Sequence, residues 1–538
     1  MNFYKRAIIK ETILIFLFFS VILFFVTKES IFSPFSMQDE PELIKITNPH
    51  LKYFDSYEKS DSYKNIGSYV KSYLNHGRFH PLMVATQWII AKISDSNPFI
   101  IRLYVFLVTT IVITLFFVYL RLLSVPLLLA VLFAGTFFAG RYDEIWWRYG
   151  ASELVGLLFL LITLIAFTIA VTKNNNKWHI LAFASMILAS LYKESFWILI
   201  PVISLIYLLT YAWKNNIDYI TALRKTKNIH ITTGIIFIIL TAGIISIVLF
   251  TNYSVVKEVT FSRWTIFLTN LKSMIQPFAL WIPIVLLIII SFFIKTKQKI
   301  RNKYSLGLLI VLCLWIATQL IVHKNVPVDG SVRYLMPAQF ALLVVSALSI
   351  KTFKELKLNK LYYLFLIVFS LYFLQNLKNV YINSSYFGNR AIAYNKMLDK
   401  INELNPKGIA IINDTDESIY ATATYLSYRG TNVPVKWLKS EGEGGIYEQF
   451  FNSLPNRKSS FQMIDFTQLI NDKTIDMVVL GSPAEYSNCT IDEYKDYFPQ
   501  TFTITQSFTN IATRTLLSGR WEKTFTQNNT ITYIILKK

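Results

Sequence analysis

The chain has 538 residues, 53% of them hydrophobic and 16% aromatic, with only 16% charged and a formal net charge of +20. Soluble domains carry about 25% charged residues, so this apolar excess, gathered in blocks, excludes one ordinary water-soluble core and points to an integral membrane protein. The two cysteines, Cys313 in an apolar run and Cys489 near the C-terminus, exclude a disulfide framework and a cysteine metal site.

A membrane span needs about 17–25 mostly apolar residues. Eleven runs are read as spans: 11–28, 99–120, 122–140, 151–172, 178–192, 195–213, 231–251, 276–294, 304–322, 335–350 and 360–377. The two that flank "YKES" at 192–195 are short and close together. Lys5, Arg6 and Lys10 precede the first run and no small-residue cleavage site follows it, so it reads as a retained anchor. With the N-terminus in the cytoplasm, alternate connections collect nineteen Lys and Arg against three acids, Glu11, Asp218 and Glu355. About +16 of the +20 then lies on the cytoplasmic side, as the positive-inside rule expects. The basic charge is a topology signal, and nucleic-acid binding falls away.

An odd number of spans leaves three outer regions. The first is the long loop 29–98, in which 67–75 and 81–93 mix apolar and charged positions at helical spacing. These are too polar to span and are predicted as short amphipathic helices in the outer interface. The second region is the short "GRYDEIWWRYG" at 140–150. The third, 383–538, alternates strand-like "GIAIIND" (408–414), "DMVVLG" (476–481) and "ITYIIL" (531–536) with a helical stretch at 415–428. The expected architecture is therefore an all-α polytopic membrane bundle over 1–382 and a C-terminal extracytoplasmic α/β domain over 383–538. The polar "NSSYFGNR" at 383–390 is predicted as the linker between them.

Ionisable residues gather at the outer ends of the runs: Asp39 and Glu40, Arg78 and His80, Arg141, Asp143 and Glu144, Arg148, Lys193 and Glu194, and Arg333. Charges so near hydrocarbon are costly unless paired or facing water. Carboxylates there suit a general base, and Arg and Lys suit phosphate. Each has a plainer reading. Asp39 and Glu40 are then solvated loop charges, Trp146 and Trp147 anchor their loop at the interface, Lys193 and Glu194 pair within a tight turn, and Arg333 snorkels. His76 and His80 have a spacing that suits metal on one helix, but no third ligand.

An acidic pair soon after the first span, two interfacial helices, a second outer loop with acids and aromatics, and Arg333-Tyr334 before a late span resemble the GT-C membrane glycosyltransferases. The acidic pair is similar to that of the protein mannosyltransferase and aminoarabinose transferase group, and "GRFHPL" and "WWRYGASELVGLLF" to stretches of bacterial members. The resemblance covers roughly residues 1–350. It implies transfer of a sugar from a polyprenyl-phosphate donor to a glycan, lipid or protein acceptor outside a plasma membrane, a bacterial inner membrane being preferred.

It also implies site roles. Asp39 is the base that deprotonates the acceptor hydroxyl, Glu40 tunes it by like-charge repulsion, and Arg333 beside Tyr334 holds the departing phosphate. Asp143 and Glu144 match the place where some relatives bind a divalent metal, which leaves metal dependence open. Arg78 and Lys193 are further candidates for the donor head group. The rival readings are a glycan ligase or polymerase working through Arg333 or His323, a transporter or flippase, and a non-catalytic scaffold. A transporter would put ionisable groups in mid-span, whereas here they sit at the outer ends.

Overall fold

A computed structural model describes residues 2–35, 41–48, 51, 64–75, 80–139, 143–146, 149, 152–173, 175–250, 278–293, 310–318, 336–412, 416–438, 463–464, 466–480, 503–511 and 530–537, with isolated positions between 267 and 275. The helices in chain order are α1 (Asn2–Ile31), α2 (Pro41–Thr47), α3 (Ile66–Asn75), α4 (Pro81–Ser94), α5 (Pro98–Leu122) and α6 (Leu127–Phe138). They continue with α7 (Ser152–Lys173), α8 (Asn176–Tyr192), α9 (Glu194–Trp197), α10 (Ile200–Asn215), α11 (Tyr219–Lys225) and α12 (Lys227–Phe250). Last come α13 (Phe278–Phe293), α14 (Met336–Glu355), α15 (Asn359–Leu404), α16 (Asp416–Tyr428) and α17 (Phe466–Asn471).

Among the described residues, seven stretches are long and apolar enough to cross a membrane: α1, α5, α7, Ser195–Asn215, α12, α14 and α15. They coincide with seven of the eleven predicted runs. The other four are shorter or incomplete. α6 has 12 residues, about 18 Å at 1.5 Å per residue against a hydrocarbon layer of about 30 Å. α8 has 17 residues and α13 has 16, and of 304–322 only the helical 310–318 is described.

Local signals set the helix ends. Pro98 opens α5, and the Asn97 side chain accepts from Phe99 N at 3.0 Å as its N-cap. α5 stops where Ser124 turns left-handed (φ 63°) just before Pro126. α1 and α5 are antiparallel. Arg121 pairs with Glu11 at 3.0 Å at one end, and Arg102 meets the carbonyls of Ser30 and Pro34 at the other. Lys351 donates to Leu123 O at 2.9 Å, so α14 finishes at the Glu11–Arg121 end, from which α15 sets out. Polar side chains join neighbouring helices elsewhere: His179 to Tyr207 at 3.0 Å, and Ser204 to His230 at 2.7 Å.

The stretch 383–390, predicted as a linker, is an unbroken part of the 46-residue α15, and the helix ends only at left-handed Asn405 (φ 43°). Its composition has a different cause. Ser384 Oγ donates to Val26 O at 2.5 Å, and a Cβ on Gly388 would lie 2.5 Å from Glu29 O. Small and hydroxylated residues let two helix backbones touch here. Gly388→Val is therefore expected to force α15 off α1 and cost about 1–3 kcal/mol, read as a lower unfolding temperature in detergent. Gly243, on α12 with nothing within 4 Å of an added Cβ, should accept alanine without loss.

Beyond α15 lies a six-stranded sheet in the order β3-β2-β1-β4-β6-β5. The strands are β1 (Ile409–Ile412), β2 (Val435–Leu438), β3 (Met463–Ile464), β4 (Met477–Leu480), β5 (Thr503–Ile511) and β6 (Thr530–Lys537). β3, β2, β1 and β4 are parallel, while β6 pairs antiparallel with both β4 and β5. The predicted strands at 408–414, 476–481 and 531–536 and the helix at 415–428 correspond to β1, β4, β6 and α16. Alternate residues Ile409, Ile411, Met477 and Val479 point into one core with Leu426 of α16 and Leu398 of α15.

That core also takes in Ile44 of α2 and Leu51, so the sheet is packed on the first long loop. α16 packs on α15 around Tyr394 and Asn395: Tyr394 Oη lies 2.9 Å from Thr422 Oγ1, and Arg429 Nη2 donates to Asn395 Oδ1 at 2.6 Å. The rings of Phe35 and Tyr425 meet at 5.6 Å beyond α1.

Asp472 ties β2 to the turn after α17. Its carboxylate accepts from Lys436 Nζ at 2.6 Å and from Thr474 N at 2.8 Å, and these bonds, that of Lys436 first, hold its pKa down at about 2. A depressed carboxyl contributes stability above its unfolded value and loses it as pH falls through the folded one. The contribution should fade between about pH 4 and pH 2 and, for a pair near the surface, amount to less than about 1 kcal/mol. Pepsin cleavage of the sheet region across that window should rise less steeply in Asp472→Asn than in the parent chain.

Candidate functional site

Asp39, Glu40, Arg78, Arg333 and Tyr334 lie outside the described residues, as do His76, His323, Arg141 and Arg148. Asp143 and Glu144 open a 3-10 turn, Asp143–Trp146.

Asp39 and Glu40 fall between two anchored ends. On the N-terminal side, residues 30–34 are gripped by Arg102, buried with only 2% of its surface exposed. Its Nη1 donates to Ser30 O at 2.5 Å, to Ser33 O at 2.7 Å and to Ser33 Oγ, and its Nη2 donates to Pro34 O at 2.6 Å. The guanidinium also sits 5.7 Å over the Phe387 ring. The carbonyl-rich, negative end of the α1 dipole suits a buried cation. Asn395 Nδ2 adds a bond to Phe35 O at 2.7 Å. On the C-terminal side, α2 starts at Pro41, directly after Glu40, and carries a fully buried Lys45.

α4 links this loop to the other candidates. Val84, Gln87, Ala91 and Ser94 form its buried stripe, while Ile89 and Ile93 stay exposed. Both stretches predicted as short amphipathic helices are helical, as α3 and α4. His80 is the N-cap of α4 with a non-helical φ of −139°, and its predicted partner His76 lies outside the described residues. Thr86 Oγ1 on α4 lies 2.5 Å from Tyr192 Oη at the end of α8.

The next residue, Lys193, is extended (φ −159°, ψ 136°) between α8 and α9 and pairs with Glu153 in the first turn of α7. A carboxylate partner of Lys193 thus lies forty residues away in sequence, outside the "YKES" turn; the Glu194 side chain lies outside the described residues. Phe196, just beyond, packs so tightly on Gly156 that a Cβ there would approach its ring to 2.5 Å. The two helices of the α7–α8 hairpin are thereby locked at the end that carries the ion pair.

An aromatic core joins the remaining positions. Trp146, 2% exposed, is edge-on to Phe137 at 5.2 Å, and its carbonyl accepts from Thr109 Oγ1 at 3.1 Å. Phe137 meets Phe340 at 5.8 Å, one turn into α14, whose first residue Met336 follows Arg333 by three. Trp146 is a core residue and not an interface anchor. The elements that bracket Asp39–Glu40, Asp143–Glu144, Lys193 and Arg333 are therefore joined through α4, α5, α6 and α7. Among the described residues, no group of three His, Cys, Asp or Glu side chains could hold a metal ion.

Arg102, Glu153, Lys45 and Arg390, all buried and ionisable, escaped the sequence reading. The signal for the first two was present, since each is a lone charge in the first turns of an apolar run ("NPFIIRLYVF", "ASELVGLLF"). No protein-family model matches the chain, and no curated protein gives a significant match.

Proposed function

We propose that this chain is an integral-membrane glycosyltransferase of the GT-C type, moving a sugar from a polyprenyl-phosphate donor to a glycan, lipid or protein acceptor. In this reading the Glu11–Arg121 end is cytoplasmic, the sheet lies outside, and the chain has about eleven spans in a plasma membrane, of bacterial inner-membrane type. The observation that supports it best is the linked set of elements bracketing Asp39–Glu40, Asp143–Glu144, Lys193 and Arg333. A lipid carrier whose head group must meet a base and cations needs these residues at one rim.

The chemistry is an inverting displacement. Asp39 takes the proton of the acceptor hydroxyl, and the oxygen attacks the anomeric carbon. The bond from that carbon to the phosphate oxygen breaks, and polyprenyl phosphate departs with the electron pair. Arg333, with Tyr334, neutralises the phosphate charge as it grows, and Glu40 keeps Asp39 basic by like-charge repulsion. Asp143, Glu144, Lys193 and Arg78 contribute to the donor head-group region.

The buried charges among the described residues also speak for chemistry at the rim over transport. Arg102 and Glu153 sit in first turns, Lys193 between helices, Lys351 in the last third of α14 and Arg390 in the last third of α15, none of them half-way along a span. The test is the purified chain in vesicles with a set of polyprenyl-phosphate-linked sugars. Chain-dependent release of polyprenyl phosphate from one of them supports the transferase. Movement of intact lipid-linked sugar between leaflets, with no release from any donor, supports the flippase instead.

A further inference from the structure

The seven-residue α11 connects α10 to α12 at the Glu11–Arg121 end of the bundle. Lys351, which donates to Leu123 O there, also lies 4.9 Å over the ring of Trp213, near the end of α10. Local chemistry fixes how the short helix lies. Asp218 caps it, accepting from Thr221 N at 2.9 Å and from Thr221 Oγ1 at 2.6 Å. Ala222 is fully buried. The buried Thr226 Oγ1 lies 2.9 Å from His230 Nε2, and His230 Nδ1 lies 2.7 Å from Ser204 Oγ of α10. With Ala222 turned inward, the other face carries Ile220, Leu223 and Arg224, spaced i, i+3 and i+4. Ile220 is 66% exposed and Leu223 48%.

Two chemistries meet on this connection. Beside the apolar pair stand Lys214, Arg224, Lys225 and Lys227, all exposed. Among the described residues, none of the four meets a carboxylate. Asp218 is the one acid between Trp213 and His230, and it is turned back onto Thr221. The neighbouring connections place Lys173 5.1 Å over Trp178 and Lys354 5.2 Å over Tyr362. Aromatic rings partnered by lysines are typical of a membrane–water boundary. A soluble polyanion would meet the four cations but leave Ile220 and Leu223 in water. A phospholipid with an acidic head group satisfies both, with its phosphate on the cations and its acyl chains on the apolar pair.

We propose that α11, with Lys214, Arg224, Lys225 and Lys227, is a binding site for an anionic phospholipid of the adjoining leaflet. Under the proposed topology that leaflet is the cytoplasmic one. The site does not depend on the transferase reading. Its test is a phosphatidylglycerol titration of the full-length chain in phosphatidylcholine nanodiscs, read as retained lipid by native mass spectrometry. The parent chain should retain phosphatidylglycerol in preference to phosphatidylcholine. Each Lys or Arg near an anionic surface strengthens association by about fivefold, so Arg224→Gln, Lys225→Gln and Lys227→Gln together should weaken retention at least about tenfold. All three side chains are exposed, so the triple variant should unfold at the parent's temperature. Lys357→Gln with Lys360→Gln, in the turn before α15, should leave retention within about twofold.

A second readout reports where the apolar face lies: a fluorophore on Leu223→Cys, in a chain whose Cys313 and Cys489 are serine. Lipids that carry a nitroxide high on the acyl chain should quench it strongly in phosphatidylglycerol discs, and several-fold less once the three cations are neutralised. Equal retention of phosphatidylglycerol and phosphatidylcholine by the parent overturns the site, as does unchanged retention in the triple variant. Weakened retention with a fluorophore that no lipid nitroxide quenches also overturns it, since that result describes cations in water and not a seated lipid.

Discussion

Asp39→Asn is expected to lower the rate of sugar transfer by about 10²–10⁴-fold, the usual contribution of a positioned general base. Asparagine has nearly the same shape as aspartate and can still accept a hydrogen bond from the acceptor hydroxyl, but it cannot take the proton away. Donor KM should change little, since the carboxylate acts on the acceptor and the cations act on the phosphate. Expression and unfolding temperature should also hold, because the substitution removes no packing volume. The measurement is initial transfer rate against donor concentration in membranes with matched protein levels. Full rate in Asp39→Asn sinks the assignment. If activity instead disappears on changing Arg333 or His323 while Asp39→Asn survives, the ligase or polymerase chemistry is the better account.

The second large effect concerns Glu153 and Lys193. Their side chains are only 2% and 10% exposed, so removing either one takes an ion-pair partner from a charge held away from water. Glu153→Ala is expected to destabilise the protein by about 3–5 kcal/mol, read by thermal or denaturant unfolding in detergent. Replacing both with apolar residues of similar volume, as in Glu153→Leu with Lys193→Met, should recover most of that loss, because a buried pair is often close to neutral against a hydrophobic substitute. The double variant then separates two roles. Should Lys193 only brace the α7–α8 hairpin, the refolded double variant regains activity. Should it touch the donor head group, the double variant is stable yet shows a raised donor KM. Recovery of neither stability nor activity would mean that the pair is coupled to further groups at the same rim.

Much of the helical architecture was legible residue by residue. An apolar run of twenty or so residues has few options in hydrocarbon other than a helix, so α1, α5, α7, α12, α14 and α15 were visible in outline. The amphipathic α3 and α4, and the strands β1, β4 and β6, were also visible, because hydrophobic period is a local property. What period cannot convey is which charge meets which. Lys193 is followed in sequence by Glu194, yet it pairs with Glu153, because the α7–α8 hairpin brings the ends of two spans together. Arg102 read as an ordinary charge near the start of a span, yet it holds carbonyls about seventy residues earlier.

Composition can likewise have two causes. Ser, Asn and Gly at 383–390 have the make-up of a linker, and only the approach of α1 to α15 shows that they are small to admit a neighbouring backbone. The sequence by itself thus determined that the chain is a helical membrane protein with its ionisable groups near the ends of its spans, since burial in lipid constrains every residue independently. The tertiary structure alone decided which of those ends meet and which side chains hold them. Pairings between distant segments depend on helix crossings and loop closures, and no short window of sequence contains them.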